Sequence, residues 1–266
     1  TSTTTESTIV DMNGDGLPDI VSRIGNNCDG DSIVVRYNLL YAVDKLASVE
    51  SFYGNKMCID YAQAEYSEYA RQRPTVMSGL LVVDNTGCSS DIRQFEFGYA
   101  KYTHSVAERT AYGFDSVVIT QFNEGNPYRI IVQHYRTDSY KMRGLKDMEL
   151  TTDSSKKRYV EYNWEYQLKQ ITDGTIVPAD LQYCFDATWP ALNKSIVKYY
   201  EPSSGLIKIE TIEEYLHEGY GRVKTYSNYN NTDITTDDVR CEAHYTRRNR
   251  NQSALPPEML VTDCSN

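Results

Sequence analysis

An all-β fold, antiparallel and nearly free of helix, is what this chain of 266 residues predicts. Three observations carry that reading. Apolar and polar residues alternate with a period of two over several runs, as a strand with two unlike faces requires. Tyr supplies 23 residues against 6 Phe and 2 Trp, and Tyr suits a pleated, half-buried surface. Turn chemistry built from Gly, Pro, Asn and Asp falls between the runs and not inside them.

The clearest run is Val160, Tyr162, Trp164, Tyr166 and Leu168, with Glu161, Asn163, Glu165, Gln167 and Lys169 between them. It predicts a strand with one face in a core and the other in water. Phe95, Phe97 and Tyr99 repeat the pattern opposite Gln94, Glu96 and Gly98. Further strand-like runs are residues 33–41, 80–83, 117–122, 128–134, 196–200, 206–212 and 223–229. Turns separate them at Asn123-Glu-Gly125-Asn-Pro127, at Thr172-Asp-Gly174 and at Pro202-Ser-Ser-Gly205. Ala62 to Arg73 reads as a short helix stopped by Pro74, because proline disfavours a helical residue before it. No strong linker interrupts residues 31–230, and the tail around Asn249 to Pro257 is polar and Pro-bearing, hence loop-like. Residues 31–266 therefore read as one continuous antiparallel region, and residues 1–30 as the end of a separate one.

The chain is long enough to bury a substantial core. Its net charge of −10 argues against nucleic acid, since the one basic cluster, Arg247, Arg248 and Arg250, sits near the C-terminal end. No apolar run approaches the roughly 18 residues of a membrane helix. Cys28, Cys58, Cys88, Cys184, Cys241 and Cys264 are spread evenly with no C-x-x-C pair, so structural zinc is not expected. Three disulfides and six free thiols are both compatible with that count, and the sequence leaves the choice open.

The sharpest local signal is Asp11-Met-Asn13-Gly14-Asp15-Gly16-Leu17-Pro18-Asp19. Oxygen donors stand at alternate positions: Asp11, Asn13, Asp15, the carbonyl of Leu17, and Asp19. The glycines allow the sharp turn that brings them inward. Calcium takes about six to eight such oxygens in flexible geometry, whereas magnesium demands a strict octahedron. The closing bidentate Glu of an EF-hand is missing, and the alternative is an Asp/Asn-Gly turn without metal. Followed by Ile20-Val21, this stretch resembles the calcium loop of FG-GAP or VCBS-type repeats. That resemblance implies a loop between strands of a propeller-like blade, and a single copy suggests an array cut upstream.

A longer resemblance runs through Ala107-Glu-Arg-Thr-Ala-Tyr-Gly113-Phe-Asp-Ser-Val-Val-Ile119, His134-Tyr-Arg-Thr-Asp138 and Lys141-Met-Arg-Gly144-Leu-Lys-Asp-Met-Glu-Leu150. It is similar to the stretch after the FG-GAP region in the B component of Tc-type insecticidal toxin complexes and in SpvB/Rhs proteins. Leu39-Leu40, Ile59-Asp60-Tyr61 and Gly98-Tyr99 sit in compatible places before it. Gly205-Leu-Ile and Tyr220-Gly-Arg222-Val resemble degenerate YD-repeat hairpins, although no crisp Tyr-Asp repeat recurs. The resemblance implies a segment of a secreted bacterial β shell whose partners are a toxin polypeptide or other shell subunits.

Catalytic motifs are thin. No Glu-x-Glu pair of the ADP-ribosyltransferase kind and no G-x-S-x-G elbow occurs. His217-Glu218 opens like a zinc-protease helix, but Gly221 stands where the second histidine belongs. Gly30-Asp31-Ser32 offers one nucleophile, Ser32. His104, His134, His217 and His244 are isolated, and Asp237-Asp238 sits in a Thr/Asn/Asp loop. The expectation is a structural chain, not an enzyme, with calcium as its cofactor. The rivals are a calcium-dependent adhesin or glycan-binding module, which exposed rings in a groove would favour, and a hydrolase using Ser32.

Overall fold

The computed structural model describes residues 3–12, 17–26, 30–39, 45–65, 73–84, 91–106, 108–178, 187–245 and 259–265. Two compact units, Thr1–Tyr128 and Arg129–Asn266, make up the chain. The first opens with a three-stranded antiparallel sheet of β1 (Thr3–Val10), β2 (Asp19–Asn26) and β3 (Gly30–Arg36). A meander comes next, β4 (Ser48–Glu50), β5 (Lys56–Gln63), β6 (Thr75–Asp84), β7 (Asp91–Ser105) and β8 (Thr110–Asn123), each strand antiparallel to its successor. The second unit is another meander. It runs through β9 (Asn126–Tyr135), which begins just before the boundary, β10 (Lys146–Asp153), β11 (Arg158–Gln170) and β12 (Thr188–Tyr200). It continues through β13 (Ile207–His217), β14 (Val223–Tyr229), β15 (Val239–Tyr245) and β16 (Met259–Ser265).

No α-helix occurs among the described residues. The helix expected from Ala62 to Arg73 is corrected at its start, because Ala62 and Gln63 end β5, opposite Val76 and Thr75. Its residues 66–72 lie outside the described ones. The run at residues 33–41 is a strand only as far as Arg36, while the other expected runs fall within or largely within strands. The expected turns also form. Glu124 and Gly125 both have positive φ, 50° and 77°, as a two-residue hairpin turn of the I′ kind requires.

Most strand pairs of the two meanders shift register once, as at Asp60/Tyr61, Thr103/His104, Glu165/Tyr166, Tyr199/Tyr200 and Leu216/His217. Each shift leaves one residue unpaired, bends the strand locally and re-aims the side chains beyond it. Buried apolar side chains are few among the described residues. Met142, Leu168 and Val177 form a cluster in the second unit, with Leu145 and Tyr166 packed against it.

Strand β11 departs from the simple pattern of one wet and one dry face. Tyr162, Trp164 and Tyr166 are half-buried, but so are Glu161, Asn163 and Gln167, and Lys169 is only 3% exposed. Leu168 packs on Met142 and Val177, which lie outside the strands, while Glu161 accepts Asn163 and Tyr200. Tyr162 faces Glu149, which faces Gln133, so rings and polar groups share one face.

Candidate functional site

Of the five expected calcium ligands, Asn13 and Asp15 lie outside the described residues. Asp11 and Leu17 are half-buried. Asp19, the first residue of β2, is completely buried. Its Oδ2 accepts the backbone N–H of Met12 at 2.9 Å, and its Oδ1 accepts that of Asn38 at 2.8 Å. The first bond closes the loop between β1 and β2 and draws both ends of the motif together, as a cation-wrapping loop needs. The second fastens the loop to the segment leaving β3. A carboxylate has about four lone-pair positions, so each Asp19 oxygen keeps one beyond its N–H partner. Asp19 thus ties together the two described ends of the motif, Asp11–Met12 and Leu17–Asp19. Asp19 serves in it as the strut that shapes the loop, whatever it does for a cation.

A second constellation, which no local sequence motif announces, lies in the second unit. Tyr215 on β13 faces Tyr226 on β14. Tyr215 donates its phenol to Glu213 Oε2 at 2.8 Å, and Tyr226 donates to Glu213 Oε1 at 2.9 Å. Burial, and then the adjacent Glu213 carboxylate, raise both phenols above their ordinary range. The ring series continues through His217, 6.4 Å from Tyr215, to Trp189, 5.0 Å from His217. Lys169, the cross-strand partner of Trp189, stands beside this end of the series. Burial lowers the pKa of Lys169; burial and then the Lys169 charge lower that of His217.

Similar carboxylate and amide anchors recur along both meanders. Glu161 Oε2 accepts Tyr200 at 2.8 Å, Glu108 accepts Tyr112, and Gln133 Oε1 accepts Tyr135 at 2.8 Å. Lys146 bridges Glu149 at 2.6 Å and lies 5.0 Å over the Trp164 ring, which stacks on Tyr162 at 5.7 Å. Apart from Glu108 and Tyr112, four residues apart at a turn, the signal for these groups is a Glu or Gln two positions from a Tyr along a strand or across the ladder. It becomes legible only once register is known.

The catalytic candidates are dispersed. Ser32 is exposed within β3, opposite Ile24. His104 is in β7, His134 in β9 and His217 in β13, and the backbone of His244 lies in β15. Asp237 ends a short 3-10 turn over Thr235–Asp237, where its carbonyl accepts Asn230 Nδ2 at 2.6 Å. No group of three His, Cys, Asp or Glu side chains able to hold a metal gathers among the described residues. Cys58 is free and Cys241 is disulfide-bonded, in strand register with Cys264. The most exposed ring pair is Phe52–Tyr53, two rings at the tip of the β4–β5 hairpin.

The sequence matches no protein family profile and no curated protein. The fold does match solved structures. A crystal structure of TcdB2-TccC3 without its hypervariable C-terminal region superposes with a TM-score of 0.64 at 10% identity, covering 93% of this chain. The Photorhabdus luminescens Tc holotoxin pore gives a TM-score of 0.63 at 10% identity over the same share. A further TcdB2-TccC3 crystal structure gives 0.56 at 9% identity over 92%. This chain spans 16% of the matched chain's length in the first two and 19% in the third. At such identity the likeness is one of fold.

Proposed function

We propose that this chain is a structural wall segment of a secreted bacterial β shell that encloses a toxin polypeptide. It works by geometry, not catalysis. The observation that carries this reading is the match of nearly the whole chain to the TcdB2-TccC3 fold. The physics agrees. Long strands run in sequential antiparallel order, and few apolar side chains are fully buried among the described residues. A free-standing domain of this length would bury a far larger core. In a wall, polar and aromatic groups on each face satisfy one another in the plane of the sheet, as Gln133, Glu149 and Tyr135 do. Electron microscopy of the native gene product tests the reading. A hollow β enclosure containing polypeptide is expected; a solid particle in which these strands form their own two-layer core would overturn it.

Calcium belongs, on the same proposal, to the N-terminal loop, held by Asp11, Asn13, Asp15, the Leu17 carbonyl and Asp19. Bound there, a divalent cation offsets the repulsion of three carboxylates within nine residues. Chelation should loosen residues 9–21 and leave the rest folded. Hydrogen exchange in EGTA and in millimolar calcium measures this, and equal protection in both would reduce the motif to a turn. Non-catalysis is tested alongside, since ester or NAD turnover abolished by Ser32→Ala would make the chain an enzyme.

A further inference from the structure

We propose that Tyr215 and Tyr226 form an oxidative crosslinking site, where a one-electron oxidant joins the two rings and staples β13 to β14 covalently. The chemistry rests on placement. The two residues are cross-strand partners, and directly opposed Cβ atoms in an antiparallel pair lie about 4.5–5.5 Å apart. Their ring centroids are 5.3 Å apart at an interplanar angle of 44°. The other close ring pairs among the described residues join a Tyr to Phe, Trp or His, or join Trp189 to His217, so none of them supplies the two phenols that coupling needs.

Both phenols already donate to a single carboxylate, Glu213. That matters because a phenol which loses an electron becomes strongly acidic, and the proton needs an acceptor within hydrogen-bond reach. Raised pKa values close the alternative route through a preformed phenolate. Each Tyr gives up one electron to the oxidant and one proton, first to Glu213 and then to solvent. The two ring radicals couple carbon to carbon beside the hydroxyls. The two ring hydrogens at the new bond then move as protons to the two oxygens, which restores both aromatic rings and both hydroxyls, so that only two hydrogens are lost in all. With hydrogen peroxide and a peroxidase as the oxidising system, two tyrosines and one peroxide yield one dityrosine and two waters. Half-burial suits the reaction, since the rings stay within reach of a diffusible oxidant while the fold holds them together.

The test uses the intact chain, illuminated with tris(bipyridyl)ruthenium(II) and persulfate, with peptide mass spectrometry and dityrosine fluorescence as readouts. The expected product joins the β13 and β14 peptides within one chain, with the loss of two hydrogens. Tyr226→Phe, which keeps the ring, removes it. Glu213→Gln, which keeps the shape, slows its formation roughly tenfold or more, since a positioned proton acceptor is worth about a hundredfold or more. Circular dichroism of both variants confirms folding. Crosslinks scattered over other tyrosines, hydroxylated but unjoined rings, or full yield in Tyr226→Phe would each overturn the proposal.

Discussion

Asp19 shows how much one side chain decides. Both of its oxygens hold backbone amides, Met12 on one side and Asn38 on the other, at zero exposure. Asp19→Ala strands two amides, and hydrogen bonds to a charged group are worth about 1.5–3 kcal/mol each. Amide exchange at Met12 and Asn38 should therefore accelerate as if the local opening free energy fell by about 2–4 kcal/mol. Unchanged exchange would remove Asp19 from the strut role. His217 gives a pH prediction. Burial and the Lys169 charge hold its folded pKa below the unfolded 6.5. Stability is then full above pH 6.5 and is lost as pH falls from there through the folded value. Asp138 titrates below its usual range because it pairs with Arg136. Burial pushes Glu161 up, but bonds from Asn163 and Tyr200 and the charges of Lys198 and Arg158 outweigh it, so its net shift is also downward. These carboxylates act at more acidic pH. Urea midpoints should drop between pH 7.5 and pH 5.5 in the wild type, and the drop should shrink in His217→Gln.

At the scale of single elements, β7 is instructive. Its alternation predicts Phe95, Phe97 and Tyr99 on one face, and by that period Tyr102 belongs on the other. Yet Tyr99 and Tyr102 both pack on Phe114, at 4.8 and 5.1 Å. Lys101 reconciles them. It has φ 52° within the strand, a left-handed residue that breaks the alternation without shifting the register, so Tyr102 stays directly opposite Phe114 while Tyr99 reaches the same ring. Lys101→Gly should keep stability within about 1 kcal/mol of wild type, since glycine accepts this φ at little cost. Lys101→Val should lose about 2 kcal/mol, because a β-branched residue there is strained. In a regular strand the order would reverse, so urea unfolding of the two variants decides between a left-handed and an extended backbone at this position. The turn at Thr172–Gly174 makes a related case. A Cβ on Gly219 would collide with the Thr172 carbonyl, and one on Gly174, at φ 75°, would lie 2.8 Å from the Glu218 carbonyl carbon. Gly219→Ala should cost roughly 3 kcal/mol in thermal unfolding, the upper range for overpacking. The sequence marks Gly174 as a turn residue, but it does not show that the Gly219 backbone presses against that turn.

Across the whole molecule, the strands that were legible are those with strong alternation. β10, Lys146–Asp153, was not, because charged and hydroxyl side chains fill most of it. It is a strand because β9 and β11 pair with it on both sides. Among the candidate sites, the Asp11–Asp19 stretch could be read as the connection between two paired strands because its information is local, and its calcium belongs to the proposal above. By itself the sequence determined the all-β class, the antiparallel order and most of the turns, since these arise from period-two patterning and from backbone chemistry within a few residues. Only the tertiary structure decided the rest. Register shifts between neighbouring strands set which Tyr meets which Glu, and they are set by long-range pairing that no local pattern encodes. Glu213 therefore joins Tyr215, its neighbour on the same strand, to Tyr226 across the hairpin, and Lys169 is buried beside His217 on a strand nearly fifty residues away.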